Sequence, residues 1–378
     1  MAVTTEYLSG GRIQGRSDDS LATAVPATSW KEIARYTLTS TSSSIVVGTG
    51  TQTGSGTGTG YFTAKDNLMV LVHALTDSRV IHMKFGNSNT SGIDSGSNYN
   101  GRRNRNGGDD SSDTSVSTGF RIVDEDAGND AFCVVKIRNM ASEEKLLISH
   151  AVENGTVGNN APNREEFVGK WTNTNQLTTL SITTAGDLAS GSEIVVLGMD
   201  DDEVDSGTNF WQELVSQDGS GSSQEVDSGA FTNNRKYLWV ESYGTTAGNN
   251  MDNIGFKFNT ASTNYSRRIH HNYSSTAGGA SGNDTASSGA QSYMRFGSGS
   301  AAANDIFIDG HIVNVSGKEK LLVGHCNRNR STGAGNTPDS FEITFKWSDT
   351  SAPISSIKLI NDTSNWTTDS YIRVYGAD

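Results

Sequence analysis

An all-β protein, two tandem homologous β-sandwiches of jelly-roll-like character behind a short N-terminal arm, is the fold this sequence predicts. Three observations lead there. Apolar residues fall in short dense runs rich in β-branched and aromatic types, and Gly, Asn, Asp and Ser clusters bound those runs. Helical spacing sustained over ten or more residues is hard to find, the nearest candidate being the short stretch 30–36. Finally, the chain is written twice.

The repeat is read from matched segments. Lys145-Leu146-Leu147-Ile148-Ser149-His150 recurs as Lys320-Leu321-Leu322-Val323-Gly324-His325, and Asn139 matches Asn314 at the same offset of 175. Lys170-Trp171 recurs as Lys346-Trp347, and residues 192–200 recur as residues 370–378. Toward the front, Lys84-Phe85 pairs with Lys257-Phe258, and the Trp30 to Ile33 segment pairs with Trp211 to Leu214. The order is kept and the offset drifts by a few residues, as loop insertions would produce.

The organisation follows in chain order. Residues 1–29 have no counterpart and form an arm suited to docking; 30–200 are the first sandwich, 201–210 an acidic linker and 211–378 the second sandwich. Each repeat, at about 170 residues, is long enough to hold its own core. Residues 67–73, 131–137 and 192–197 read as strands. In the last of these Ile194 and Val196 match Ile372 and Val374, so that face points into the core. Glu193 and Val195 match Tyr371 and Arg373, so the opposite face is expected to meet water or a partner. The intervals 86–131 and 259–305 read as long polar excursions, each with one weak strand near Phe120 or Met294.

Composition excludes several classes. The chain of 378 residues carries 29 basic and 42 acidic side chains, a formal charge of −13 that argues against a nucleic-acid partner. The charge is expected to aid solubility at high local concentration. Hydrophobic types make up 34%, no apolar run is long enough for a membrane span, and the first residues lack the plan of a secretory signal. Cys133 and Cys326 occupy non-equivalent places and read as small core residues in a reducing compartment.

Candidate chemistry is sparse. His150 and His325 recur at one place and are expected to be core-edge histidines bonded to backbone, with a ligand or pH-switch role as the alternative. Glu32 and Glu213 read as N-cap or turn-binding carboxylates beside a tryptophan. Residues 124–130 alternate oxygen ligands as calcium loops do, but lack the closing bidentate Glu, so a solvated turn is expected there. The acids Asp200, Asp201, Asp202 and Glu203 read the same way. Arg102, Arg103 and Arg105, and Arg267 and Arg268 beside His270 and His271, suit pairing with acidic loops of neighbouring subunits better than nucleic acid. Residues 49–60 are Gly/Thr-rich without a phosphate-loop lysine, and no nucleophile-elbow or zinc-protease motif occurs. No catalytic, cofactor-binding or metal residue is assigned, and no cofactor and no enzymatic activity are expected.

The segment Asn160-Ala161-Pro162-Asn163-Arg164-Glu165-Glu166-Phe167-Val168-Gly169-Lys170-Trp171, followed by Gly191-Ser192-Glu193-Ile194-Val195-Val196-Leu197-Gly198-Met199-Asp200, resembles β-rich structural and appendage proteins of tailed and environmental, especially marine, viruses. Residues 7–15 resemble the leading segment of such proteins. The resemblance spans most of the chain through structural motifs. It implies a non-enzymatic virion surface protein, assembled in the host cytoplasm: a capsid decoration, head fibre or tail appendage. Its partners would be itself, as a homotrimer or other homo-oligomer, and other capsid or tail proteins. A double jelly-roll major capsid protein forming pseudo-hexameric trimers is the alternative. A carbohydrate-binding host-adhesion module, with Tyr99, Tyr265 and Tyr273 stacking on a host-surface glycan, is the second alternative.

Overall fold

The computed structural model describes residues 3–8, 12–17, 30–48, 60–76, 80–90, 92–108, 110–124, 130–155, 158, 160–200, 209–232, 234–246, 251, 253–273, 280–291, 294–295, 305–329 and 338–378. It is all-β, with no α-helix among the described residues and one 3-10 turn at Ser88–Thr90. No helix among them is long and apolar enough to cross a membrane.

The arm forms a hairpin of β1 (Val3–Leu8) and β2 (Arg12–Ser17). The N-terminal half then supplies β3 (Lys31–Thr37), β4 (Ser42–Val47), β5 (Asn67–Ala74), β6 (Val80–Asn87), β7 (Gly92–Ile93), β8 (Tyr99–Arg105) and β9 (Ser111–Val116). It continues with β10 (Phe120–Asp124), β11 (Ala131–Arg138), β12 (Lys145–Glu153), β13 (Asn163–Trp171), β14 (Thr179–Leu188) and β15 (Glu193–Met199). The C-terminal half supplies β16 (Gln212–Asp218), β17 (Glu225–Asp227), β18 (Tyr237–Thr245), β19 (Ile254–Phe258), β20 (Tyr265–Tyr273) and β21 (Ala280–Gln291). It ends with β22 (Met294–Arg295), β23 (Asp305–Val313), β24 (Lys320–Asn329), β25 (Asp339–Trp347), β26 (Ile357–Asn361) and β27 (Tyr371–Ala377).

Each half is an eight-stranded antiparallel sheet packed on a smaller one. The large sheets run β3-β15-β5-β11-β12-β13-β8-β9 and β16-β27-β18-β23-β24-β25-β20-β21, the same order strand for strand. The small sheets run β10-β6-β14-β4 and β22-β19-β26-β17, again in matching order. One core fills the first sandwich around Ile45, Phe85, Phe120, Trp171 and Val196. A second fills the other around Phe256, Phe258, Ile343, Trp347 and Val374. Both Ile194/Val196 and Ile372/Val374 face these cores, as their matched apolar character requires.

Three recurring polar residues are structural staples. Asn139 Nδ2 donates to the carbonyls of Lys65 and Leu177 while its Oδ1 accepts from Leu177 N; Asn314 does the same with Arg235, Ile354 and Ile354 N. Ser192 Oγ exchanges hydrogen bonds with both backbone groups of Leu75, and Ser370 Oγ with those of Thr245. Lys145 and Lys320, both fully buried, turn their ammonium groups onto loop carbonyls, including Thr174 and Asp349. These bonds close loop backbone that has no ladder partner, which is costly to leave unsatisfied. Replacing Asn139 with Ala strands two carbonyls and one amide. It is expected to cost about 2–4 kcal/mol, read as a lower urea midpoint with unchanged slope.

Three expectations change, and a fourth, the weak strands, is met. Residues 30–36 are not helical: Lys31–Thr37 is an edge strand paired to β15, since its alternating burial has a period of two. The interval 86–131 is no excursion, because β8 and β9 inside it extend the large sheet, and β20 and β21 do so in 259–305. The weak strands at Phe120 and Met294 do pair, with β6 and β19. Lastly, Glu193 and Val195 do not meet water: Val195 is fully buried and Glu193 is 3% exposed.

What covers that face is the other half of the chain. The outer faces of the two large sheets pack on each other, forming a third apolar cluster. Met69, Leu71, Phe132, Val134, Val195 and Leu197 come from the first half, against Trp211, Tyr237, Trp239, Val313, Leu321 and Val323 from the second. Phe132 stacks on Tyr237 at 6.1 Å between ring centroids, and Trp239 stacks on His311 at 5.5 Å. Polar groups fasten the rim. Glu193 receives Tyr237 Oη at 2.7 Å and pairs with Lys236 at 3.0 Å, and Glu319 binds Asn154 Nδ2 and Gly158 N. Cys133 and Cys326 are both buried free thiols. Burial pushes the Cys133 thiol up to about 12 and Cys326 further still, so neither is a ready thiolate.

Candidate functional site between the two sheets

The repeated histidines meet in this contact. Because β12 and β24 are equivalent strands whose outer faces oppose, His150 and His325 come together, edge to face, with ring centroids 4.2 Å apart. Register adds a carboxylate to each. His150 lies opposite Glu166 on β13, and His325 lies opposite Glu342 on β25. The four side chains are two equivalent pairs facing each other, the arrangement an approximate two-fold axis produces.

Distances show which groups are coupled. Glu166 Oε1 lies 3.4 Å from His150 Nδ1, 3.9 Å from His325 Nε2 and 3.2 Å from Arg164 Nη1. Arg164, 2% exposed, also pairs with Glu342 Oε2 and donates to Asn104 Oδ1 at 3.0 Å. Burial alone would raise the Glu166 carboxyl. The hydrogen bonds of His150 and His325 and the charge of Arg164 overcome it and hold Glu166 well below the usual carboxylate range. Glu342 goes the other way: burial and the neighbouring Glu166 charge push it up to about 7. Burial also lowers His150, partly offset by Glu166. Two carboxylates beside one guanidinium therefore split into an ionised and a readily protonated member.

The cluster opens to a cavity of about 220 Å³ lined by Arg102, Ile148, His150, Glu166, Val168 and Glu342, among others. Ile148 and Val168 are about half exposed beside it. The expectation that these histidines bond to backbone at a core edge is corrected. Residues 147, 149 and 151 take the inward face of β12, so 146, 148 and 150 point outward. Only the opposing sheet covers part of that outward face.

The other candidates are dispersed. Glu32 pairs with Arg35 at 2.8 Å, and Glu213 sits exposed in β16; neither caps a helix. Tyr99 and Tyr265 are fully buried, each hydroxyl bonded to both backbone groups of Phe85 or Phe258, so neither is a stacking platform. The side chain of Tyr273 lies outside the described residues. Arg102 pairs with Asp110 at 3.6 Å and Arg103 donates to Ser111, both within the chain. Arg268 donates to Pro162 O across the contact between the halves. Of the calcium-like stretch, Asp130 pairs with Lys318 at 3.3 Å, and 125–129 lie outside the described residues, as do 49–59 and 201–208. Asp200 pairs with Lys65 at 2.9 Å.

No protein-family model matches the chain, and no curated protein does. Among solved structures, domains LG4-5 of the mouse laminin alpha1 chain match 92% of this chain and 91% of that one. The identity is 11% and the TM-score 0.18, a likeness too slight to carry an argument.

Sequence reasoning missed Arg164, Glu166 and Glu342. Glu166 and Glu342 stand four residues before Lys170 and Lys346, so the offset that paired the lysines also paired the glutamates. That match was the available signal.

Proposed function

We propose that this chain is a non-enzymatic structural protein of a virion surface, a capsid decoration, head fibre or tail appendage, docked through residues 1–29. The observation that carries the reading is the use of the two largest sheet faces for packing inside the chain. A sandwich that binds or transforms a ligand on its broad face leaves that face open. Here the centres of both broad faces are closed against each other, and the recurring residues Asn139, Ser192, Lys145 and their equivalents hold backbone. The product is a paired block of two sandwiches, a form suited to a particle component. The resemblance of residues 160–171 and 191–200 to virion proteins supplies the setting. The arm, a hairpin with a pairable edge, suits strand addition to a larger assembly.

The glycan reading loses Tyr99 and Tyr265 to the core and is the weaker alternative. Complementation of particles with full-length or 30–378 chain tests the proposal. Full-length protein is expected in purified particles at stoichiometric amounts, and the truncated chain is expected to remain unbound. Normal incorporation of the truncated chain would refute docking by the arm. Absence of the full-length chain from particles would refute the virion role, and hundreds of shell-forming copies would favour the major capsid alternative.

A further inference from the structure

The geometry points to a divalent transition-metal site, of the zinc class, formed by His150 Nδ1, His325 Nε2 and a Glu166 oxygen at the contact between the two halves. One ligand atom from each of these three side chains can be chosen so that all lie within 4.8 Å of one another. Zinc bonds of about 2.0–2.2 Å place tetrahedral ligands about 3.3–3.6 Å apart. The His150–Glu166 separation of 3.4 Å already has that value, and the His325–Glu166 separation of 3.9 Å needs only a small rotation. Two imidazoles and a carboxylate are the donor set that borderline metals such as Zn²⁺ and Co²⁺ take, whereas Ca²⁺ and Mg²⁺ prefer oxygen alone.

Two features beyond the three ligands support the assignment. Arg164 grips Glu166 at 3.2 Å, an outer-shell contact that orients the carboxylate toward the imidazoles. The cavity at the site provides an entry path and room for a water in a fourth position. The ligands come from both halves, two from strands β12 and β13 and one from β24. A bound ion therefore clasps the sheets together and adds stability by mass action.

The test uses the full chain, stripped with chelator and titrated with ZnCl2 by calorimetry, with Co²⁺ absorption as a second reading. One ion per chain is expected, with a cobalt spectrum of low-symmetry nitrogen and oxygen ligation and a zinc-dependent rise in melting temperature. His150→Gln and His325→Gln should each weaken binding on the order of a hundredfold, and Arg164→Lys on the order of tenfold. Circular dichroism and the metal-free melting temperature establish that each variant is folded. His270, which lies across from Glu342 in register, provides the control. Absence of saturable binding to the wild-type chain would overturn the assignment. So would binding that survives both His150→Gln and His325→Gln but is lost in His270→Gln.

Discussion

Leu71→Asp is expected to part the two halves while leaving each sandwich folded. Leu71 sits at the centre of the contact, between Val134 and Val195 in register, and is fully buried. Losing a buried leucine costs about 2–5 kcal/mol, and an unpaired carboxylate in an apolar seam adds to that. The penalty falls on the contact, because Leu71 belongs to the cluster between the sheets and not to either sandwich core. Those cores stay intact, and the chain still links them. Small-angle scattering should show a larger radius of gyration, and calorimetry should resolve two transitions where the wild type is expected to show one. An unchanged scattering profile with a single transition would show that the halves do not depend on this seam. Leu71→Met, which preserves volume, should change neither reading.

How much of this was legible in the sequence differs by level. The strands of both cores were, because their apolar runs are bounded by turn residues and the matched positions of the two halves fix the inward face. The edge strand Lys31–Thr37 was not: its burial alternates, but Ile33 and Ala34 adjoin and charged residues stand at 31, 32 and 35, so the residue types themselves show little alternation. The large sheet's reach was missed for a similar reason: β8 and β9 carry Gly, Asn, Arg and Ser where a core strand carries Val and Ile, so they read as polar connection. The sheet-to-sheet contact had a signal that alternation arguments overlook. The runs Asn67–Ala74 and Glu193–Met199 are apolar on both faces, which is what a strand covered on both sides requires. Comparing Glu193 and Val195 with Tyr371 and Arg373 concealed it, because the two sheets meet with different side chains. The histidine pair was visible as a repeat, but its meeting depends on a register and a packing that no single segment encodes.

The same seam makes the fold sensitive to acid. His73 and His311 are buried in or beside it, and burial pushes His73 down to about 3 and His311 down to about 4. His73 Nδ1 and His311 Nε2 find no hydrogen-bond partner among the described residues, and burial outweighs the opposing pull of Glu193 on His73 and of Asp309 on His311. The unfolded chain takes up those protons near pH 6.5 and the folded chain does not. Stability from these groups is therefore fully present above about pH 6.5 and is lost as the pH falls toward 4 and then 3. Each histidine contributes a slope of about 1.4 kcal/mol per pH unit within its window. Glu342 acts in the opposite sense. Its carboxyl is raised to about 7, so its contribution is present at low pH and is lost as the pH rises through that value. Total stability against pH thus mixes both, and a difference between variants isolates the histidine. His311→Phe keeps an aromatic ring over Trp239 and removes the titration. Its urea-derived stability should match the wild type near pH 8 and exceed it by about 2–3 kcal/mol at pH 4.5. Parallel pH curves for the two proteins would mean that His311 accepts its proton in the folded state, and that the seam opens to water more readily than its packing implies.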